Sequence, residues 1–221
     1  QYYFYLLKVE KRTDHPCRYL RLKGNPNTDI QVQDLLTAEE LDELASYQRK
    51  ERFAILALRN RLIISLLVHQ ALLLKELSQL TISDVNLENG TLKVQATPKT
   101  NGRTLPLKPQ QILLFYRYLN EIRPKLRKGK TEKLILTKMG TAEKGEGIHY
   151  LCETLRHLFP HKKLTPTTIR QSAIARQLKE GKDLRIVQVF AGHKKPSTTE
   201  KYKQSNLEEL KKSVMQFHPL R

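Results

Sequence analysis

Three residues near the end of this 221-residue chain combine useful chemistry with fixed spacing: Arg170, His193 and Tyr202. Arg170 stands 32 positions and His193 nine positions before Tyr202. A phenol can act as a nucleophile, a guanidinium presents a planar fork to two oxygens of a phosphate ester, and an imidazole can hydrogen-bond the same group. Each has a plainer reading alone. Tyr is used nine times, Arg170 could be a solvated helix arginine, His193 after Gly192 could be a helix C-terminal cap, and Lys99 is one of many loop lysines. His157 and His161 are four apart, but Pro160 interrupts the helix they would share and no further ligand is close, so the metal expectation is none.

The elements that must carry these side chains can be read from caps and periodicity. Thr165 caps a helix with Pro166 at its first position, and Gly181 closes it. Leu184 to Phe190 forms the next helix, Gly192 breaks it, and Ser197 to Tyr202 starts another. Upstream, Thr37 and Glu40 make a capping box with Leu36 and Leu41 as a hydrophobic staple. A more buried helix runs through Phe53, Leu56, Leu62, Ile63 and Leu67, and a short one carries Leu74, Leu77 and Leu80. The period then changes. Asn89-Gly90 is a tight-turn signal, Leu92 and Val94 share a face, and Asn101-Gly102 leads into Arg103 to Leu107, so a small antiparallel sheet is expected. Helix resumes at Ile112 and is expected to end near Arg123-Pro124, followed by a basic loop to Lys133 and a second loop from Lys138 to Gly147. A helix through Tyr150, Leu151, Leu155 and Leu158 precedes Thr165.

Composition narrows what this frame can bind. Forty Lys plus Arg against 22 Asp plus Glu give a formal charge of +18, and an excess of that size attracts a polyanion, most commonly nucleic acid. The 39% hydrophobic content is globular, and no apolar run is long enough to span a bilayer. Cys17 and Cys152 are too few and too far apart for a disulfide framework, so a reducing compartment, the cytoplasm, is the expected location. The absence of GxxxxGK[ST] removes the common nucleotide-binding loop.

Taken together, four segments resemble the tyrosine recombinases, the phage-integrase and Xer-type family: Thr165-Pro166-Thr167-Thr168-Ile169-Arg170, Leu184 to Gln188, Ala191-Gly192-His193, and Ser197 to Tyr202. Lys75-Glu76-Leu77 through Asn89-Gly90 is similar to that family's approach to its hairpin, and Lys99 sits where the hairpin lysine belongs. The resemblance implies an α+β, mainly α-helical catalytic domain with a small antiparallel sheet over residues 34–221. Residues 1–33 would be the end of an N-terminal core-binding domain and its linker. It further implies that Tyr202 attacks a DNA phosphate to give a 3′-phosphotyrosyl intermediate, that Arg170 and His193 hold the phosphate, and that Lys99 protonates the departing 5′ oxygen. Bond energy is conserved in such a scheme, so no cofactor is expected. The implied partners are double-stranded DNA and other protomers, the latter through a tail from Asn206 onward whose Leu207, Leu210, Val214 and Phe217 make one helical face.

Two positions depart from the family pattern. Leu73 stands at the place of the first arginine, and Thr167 at the His of His-x-x-Arg. Leucine cannot clamp a phosphate, and threonine is a poor base. Loss of one phosphate-binding donor is worth roughly 2.7 to 4 kcal/mol, or about a hundred- to a thousandfold in rate. Lys75 or Arg59 are the cations expected to compensate; failing that, the chain would be a DNA-binding accessory protein that no longer cuts.

Overall fold

The computed structural model describes residues 2–15 and 30–203. Helix α1 (Tyr2–Lys8) occupies the N-terminal aromatic block. Residues 16–29, where the linker expected within residues 1–33 falls, lie outside the described residues, as does the tail from Asn206.

Helix α2 (Ala38–Ser46) begins on the capping box read from the sequence: the Glu40 N–H donates to Thr37 Oγ1, and the Thr37 N–H donates to Glu40 Oε2 at 2.7 Å. Its buried Leu41 and Leu44 pack on α3 (Ala57–Gln70), the central helix of the domain. Apolar residues surround α3 on nearly every side, which is the pattern of a helix enclosed by others, here α2, α5 (Pro109–Arg117) and α8 (Pro166–Lys179). Leu62, Ile63, Leu66 and Leu67 are fully buried in it. Truncating any one to Ala would cost about 2 to 5 kcal/mol. Phe53 does not join this helix. A 3-10 turn over Ala54–Leu56 intervenes, and the Phe53 ring remains exposed beneath the Lys138 ammonium, 3.2 Å from its centroid.

Helix α3 ends at Ala71, whose φ of 47° and ψ of 45° lie in the left-handed region. The short α4 (Leu74–Gln79) follows. Strands β1 (Val85–Asn86), β2 (Thr91–Val94) and β3 (Arg103–Pro106) then form a three-stranded antiparallel sheet in sequence order. Its register pairs Leu92 with Leu105 and Val94 with Arg103, so those four side chains share the buried face.

The helix expected to stop at Arg123-Pro124 continues. A π turn over Tyr118–Ile122 joins α5 to α6 (Arg123–Leu126), and the Arg123 N–H reaches back five residues to the Tyr118 carbonyl. This wider turn accommodates Pro124 in the first turn of α6, where its missing N–H is tolerated. Nor is Arg123 a solvated loop residue. It is buried, and its guanidinium donates to the carbonyls of Thr131 and Lys133. The second expected loop also ends sooner, because α7 (Glu146–Thr154) already includes Gly147.

Helix α8 opens on Thr165 and Pro166 as expected, α9 (Leu184–Ala191) ends on Gly192, and residues 196–203 are helical. Ala71, Ile174, Val187, Ala191 and Tyr202 form a small second cluster beside the main core. Among the described residues, no helix is long and apolar enough to cross a membrane.

Candidate active site

Arg170 is placed by the strong start of α8. Thr165 Oγ1 accepts from the Thr168 N–H at 3.1 Å and Thr168 Oγ1 accepts from the Thr165 N–H at 2.8 Å, which fixes the first turn. Ser172 Oγ donates to the Thr168 carbonyl and accepts from the Leu36 N–H at 2.8 Å, anchoring the helix to the segment ahead of α2. Arg170 thus points inward and is 5% exposed. Its Nη1 donates to the Ala71 carbonyl and its Nη2 to the Ala191 carbonyl at 2.7 Å, bridging the ends of α3 and α9. Burial lowers its pKa while Glu76 opposes the change, and a guanidinium stays charged at neutral pH.

His193 follows the left-handed Gly192, where a side chain could not fit: a Cβ would lie 2.6 Å from Arg103 Nη1 and 3.0 Å from the Asn101 carbonyl. The His193 N–H donates to the Gln188 carbonyl, and Gln188 Nε2 donates back to the His193 carbonyl at 3.1 Å. Nδ1 lies 2.8 Å from Thr199 Oγ1. Burial first, then the positive charges of Arg170 and Arg103, push the imidazole pKa down to about 4, so the ring is neutral at pH 7. It stacks on Tyr202, with centroids 6.1 Å apart and planes 19° from parallel. Tyr202 is itself buried; burial raises its phenol to about 12 against the opposing charge of Arg170.

Lys99 reaches this region through the main chain of its hairpin. Thr97 and Thr100 close the loop, with the Thr97 N–H donating to the Thr100 carbonyl at 2.9 Å, and Lys99 between them is exposed. The next residues dock directly on the His193 segment: Thr100 makes a β-bridge with His193, and the Asn101 N–H donates to the Gly192 carbonyl at 2.8 Å. Arg170, His193 and Tyr202 are therefore gathered where α8, α9 and the helix at 196–203 meet, and the hairpin that carries the exposed Lys99 docks beside them.

Leu73 caps α4 in an extended conformation, half-buried, its N–H donating to Glu76 Oε2 at 2.8 Å. Thr167 is exposed in the first turn of α8. Of the two cations expected to compensate, Arg59 does not: it is buried and donates to Glu143 at 2.5 Å, far along α3 from Ala71. Lys75 is exposed on α4. The cation present is one that sequence reasoning passed over, Arg103, which makes two hydrogen bonds to Glu76 beside Arg170. A signal existed in its alternation with Leu105 on an inward-facing strand, which puts an arginine on the apolar side.

Among the described residues, no group of His, Cys, Asp and Glu is arranged to hold a metal ion. His157 instead hydrogen-bonds the Thr154 carbonyl and lies 3.3 Å from the Tyr47 hydroxyl. Cys152 is buried and its thiol is raised to about 12, which removes it as a nucleophile at neutral pH.

This architecture is that of a tyrosine recombinase catalytic domain. The structure superposes on the XerH site-specific recombinase bound to its difH substrate with a TM-score of 0.71 at 25% identity, over 83% of this chain and 53% of that one. The XerA recombinase gives a TM-score of 0.67 at 22% identity, over 85% of this chain and 66% of that one, a likeness of fold. Residues 34–209 match the Phage integrase family, and the chain belongs to it. Over 200 residues it is 32% identical to tyrosine recombinase XerD of Staphylococcus aureus strain Mu50, covering 90% of this chain and 67% of that protein. Over 234 residues it is 28% identical to XerD of Proteus mirabilis, covering 99% and 69%. The chain spans about two thirds of the length of these curated relatives and about half that of XerH.

Proposed function

We propose that this chain cuts and rejoins double-stranded DNA in site-specific integration or transposition, with Tyr202 as nucleophile. The Tyr202 oxygen bonds to the scissile phosphorus as the bond to the 5′ oxygen breaks. The phenol gives its proton to solvent water, and Lys99 gives one to the departing oxygen. Arg170 and His193 hydrogen-bond the non-bridging oxygens. The neutral imidazole can do so as a donor through one ring nitrogen while the other engages Thr199. Because Tyr202 is buried, its phenol moves outward to meet the phosphate.

The observation that carries this reading is the gathering of Arg170, His193 and Tyr202, with the His193 ring stacked on Tyr202 and the hairpin of Lys99 docked on the main chain of Gly192 and His193. Unrelated roles for these residues would not require them to meet. XerH, solved as a post-cleavage complex with its palindromic difH substrate, offers a chemical parallel. By the same reading residues 1–33 end a core-binding domain that completes the grip on DNA, residues 34–221 form the catalytic domain, and the tail from Asn206 is exchanged between protomers in the cytoplasm.

Leu73 and Thr167 favour a second reading, a DNA-binding accessory protein without strand cleavage. One experiment separates the two. The full-length protein is incubated with a pool of nicked duplexes of randomised sequence, which trap a cleaved strand. A covalent protein-DNA adduct that disappears in Tyr202→Phe supports the enzyme. Duplex binding with no adduct at any sequence supports the accessory protein.

A further inference from the structure

The place of the missing first arginine has a half-buried leucine, yet a second guanidinium lies deep in the site. Arg103 Nη1 donates to Glu76 Oε1 at 2.6 Å and Nη2 to Oε2 at 3.0 Å, with both side chains buried. Glu76 also accepts from Thr100 Oγ1 at 2.7 Å and from the Leu73 N–H at 2.8 Å. Burial raises the Glu76 carboxyl, but the hydrogen bonds and charge of Arg103 outweigh it, and the group sits below its ordinary range as a carboxylate. Arg103 Nε has no hydrogen-bond partner, so Glu76 anchors the head group.

Among the described residues, Arg170 is the other cation within reach of this carboxylate. Its Nη1 lies 3.7 Å from Glu76 Oε2, close enough for attraction and too far for a hydrogen bond, and it donates instead to the Ala71 and Ala191 carbonyls. Two guanidiniums share one carboxylate here, leaving one net positive charge. If Arg103 were neutral, the count would fall to zero. A buried carboxylate stripped of its fork would move the remaining fraction of an ångström to hydrogen-bond Arg170.

We propose that Arg103 is a positioning residue for Arg170: by occupying both oxygens of Glu76 it keeps that carboxylate from neutralising Arg170, so that the buried positive charge remains available to a phosphate. This deepens the reading of the site given above and rests on it for the identity of the phosphate. With Leu73 contributing no charge, this chain depends on that arrangement more than a chain with a cation there would.

The test uses inorganic phosphate as the probe and follows the Arg170 side-chain and His193 ring signals by NMR in the wild type, Arg103→Gln, Glu76→Gln and the double variant, each checked for folding by thermal melting. The wild type is expected to bind phosphate at these residues. Arg103→Gln should bind roughly tenfold more weakly, a change of about 1.4 kcal/mol, and adding Glu76→Gln should restore affinity to within about threefold of wild type. A purely packing role for Arg103 would leave the double variant at least as weak as the single one. Absence of a phosphate response in the wild type, no weakening in Arg103→Gln, or no recovery in the double variant would each overturn the proposal. If Arg103→Gln does not fold, Arg103→Lys carries the same comparison. It keeps the charge but loses the fork, so it should weaken binding, and Glu76→Gln should again restore it. Because the readout is phosphate and not strand cleavage, a chain that forms no covalent adduct leaves this result standing, and the reverse also holds.

Discussion

The His193 ring lies nearly parallel to that of Tyr202, both buried, with Arg170 close by and the Lys99 hairpin bridged to His193. Both rings are therefore held in their neutral forms at pH 7, the imidazole by burial and two guanidiniums, the phenol by burial alone. Neutrality of the pair has measurable consequences on both sides of that pH.

On the acid side, the folded-state pKa of His193 is below the unfolded value, so the unfolded chain binds the proton first. Stability that is full above about pH 6.5 is lost as pH falls toward 4. His69 is shifted the same way, to about 4, chiefly by burial. Thermal melting should show Tm falling over this window in the wild type, and a shallower fall in His193→Gln, with the rest due to His69 and, toward pH 4, to carboxylates such as Glu76 and Asp84 that the fold holds below their ordinary range. An unchanged slope would remove His193 from the account.

On the alkaline side, Tyr202 holds its proton to about 12 when folded, so its contribution to stability is full below about pH 10 and is lost as pH rises through 12. Ultraviolet difference titration should find two tyrosinates appearing late, those of Tyr202 and of Tyr118, whose phenol burial also raises, and one of the two late steps should vanish in Tyr202→Phe. Strand cleavage, measured as the single-turnover rate of adduct formation, should rise with pH, because the resting phenol is protonated.

Leu73→Arg should increase cleavage about a hundred- to a thousandfold if the guanidinium reaches the phosphate. The position tolerates it, since Leu73 is only half-buried and its main chain, not its side chain, caps α4 through Glu76. Tm should change little while the adduct rate rises; a large fall in Tm with no gain in rate would count against the assignment of this position.

Ala71 adopts a left-handed conformation that costs an alanine about 1 to 2 kcal/mol, and its carbonyl accepts from Arg170. Ala71→Gly relieves the strain at a smaller cost in chain entropy, of about 0.4 to 1 kcal/mol. Ala71 is fully buried in the second cluster, and its lost methyl costs about 0.8 kcal/mol more, so the terms nearly cancel and Tm should stay within a few degrees of wild type. Gly192→Ala should be plainly destabilising, because its Cβ would strike Arg103 as well as strain φ, and calorimetry should register a clear loss.

For nucleic acid as the polyanion behind the +18 charge, affinity for a duplex should fall with salt on a log-log slope near −0.9 per phosphate contacted. A flat response would exclude phosphate contacts as the source of binding.

What could be read from the sequence was local. Thr37 with Glu40, and Thr165 with Pro166, declare their helices within four residues, and Asn89-Gly90 declares its turn within two. Order and spacing were enough to single out Arg170, His193 and Tyr202, which the fold brings together. What escaped was set by partners distant in sequence. Arg59 looked available until Glu143, 84 positions on, proved to hold it, and Arg103 looked like a strand residue because Glu76 precedes it by 27 positions. Pro124 suggested a helix end because a π turn, which no local pattern announces, carries the helix past it.

Arg170 spans two carbonyls, those of Ala71 and Ala191, that cap the ends of separate helices, so its head group works as a cross-brace whether or not a phosphate is near. Selection on this position therefore acts through folding whatever its part in DNA chemistry, and a chain that does not cut would still be held to an arginine here. Lys99, exposed at its hairpin, carries no such structural duty. Among related chains, the lysine and not the arginine is the residue whose drift would record the end of strand exchange.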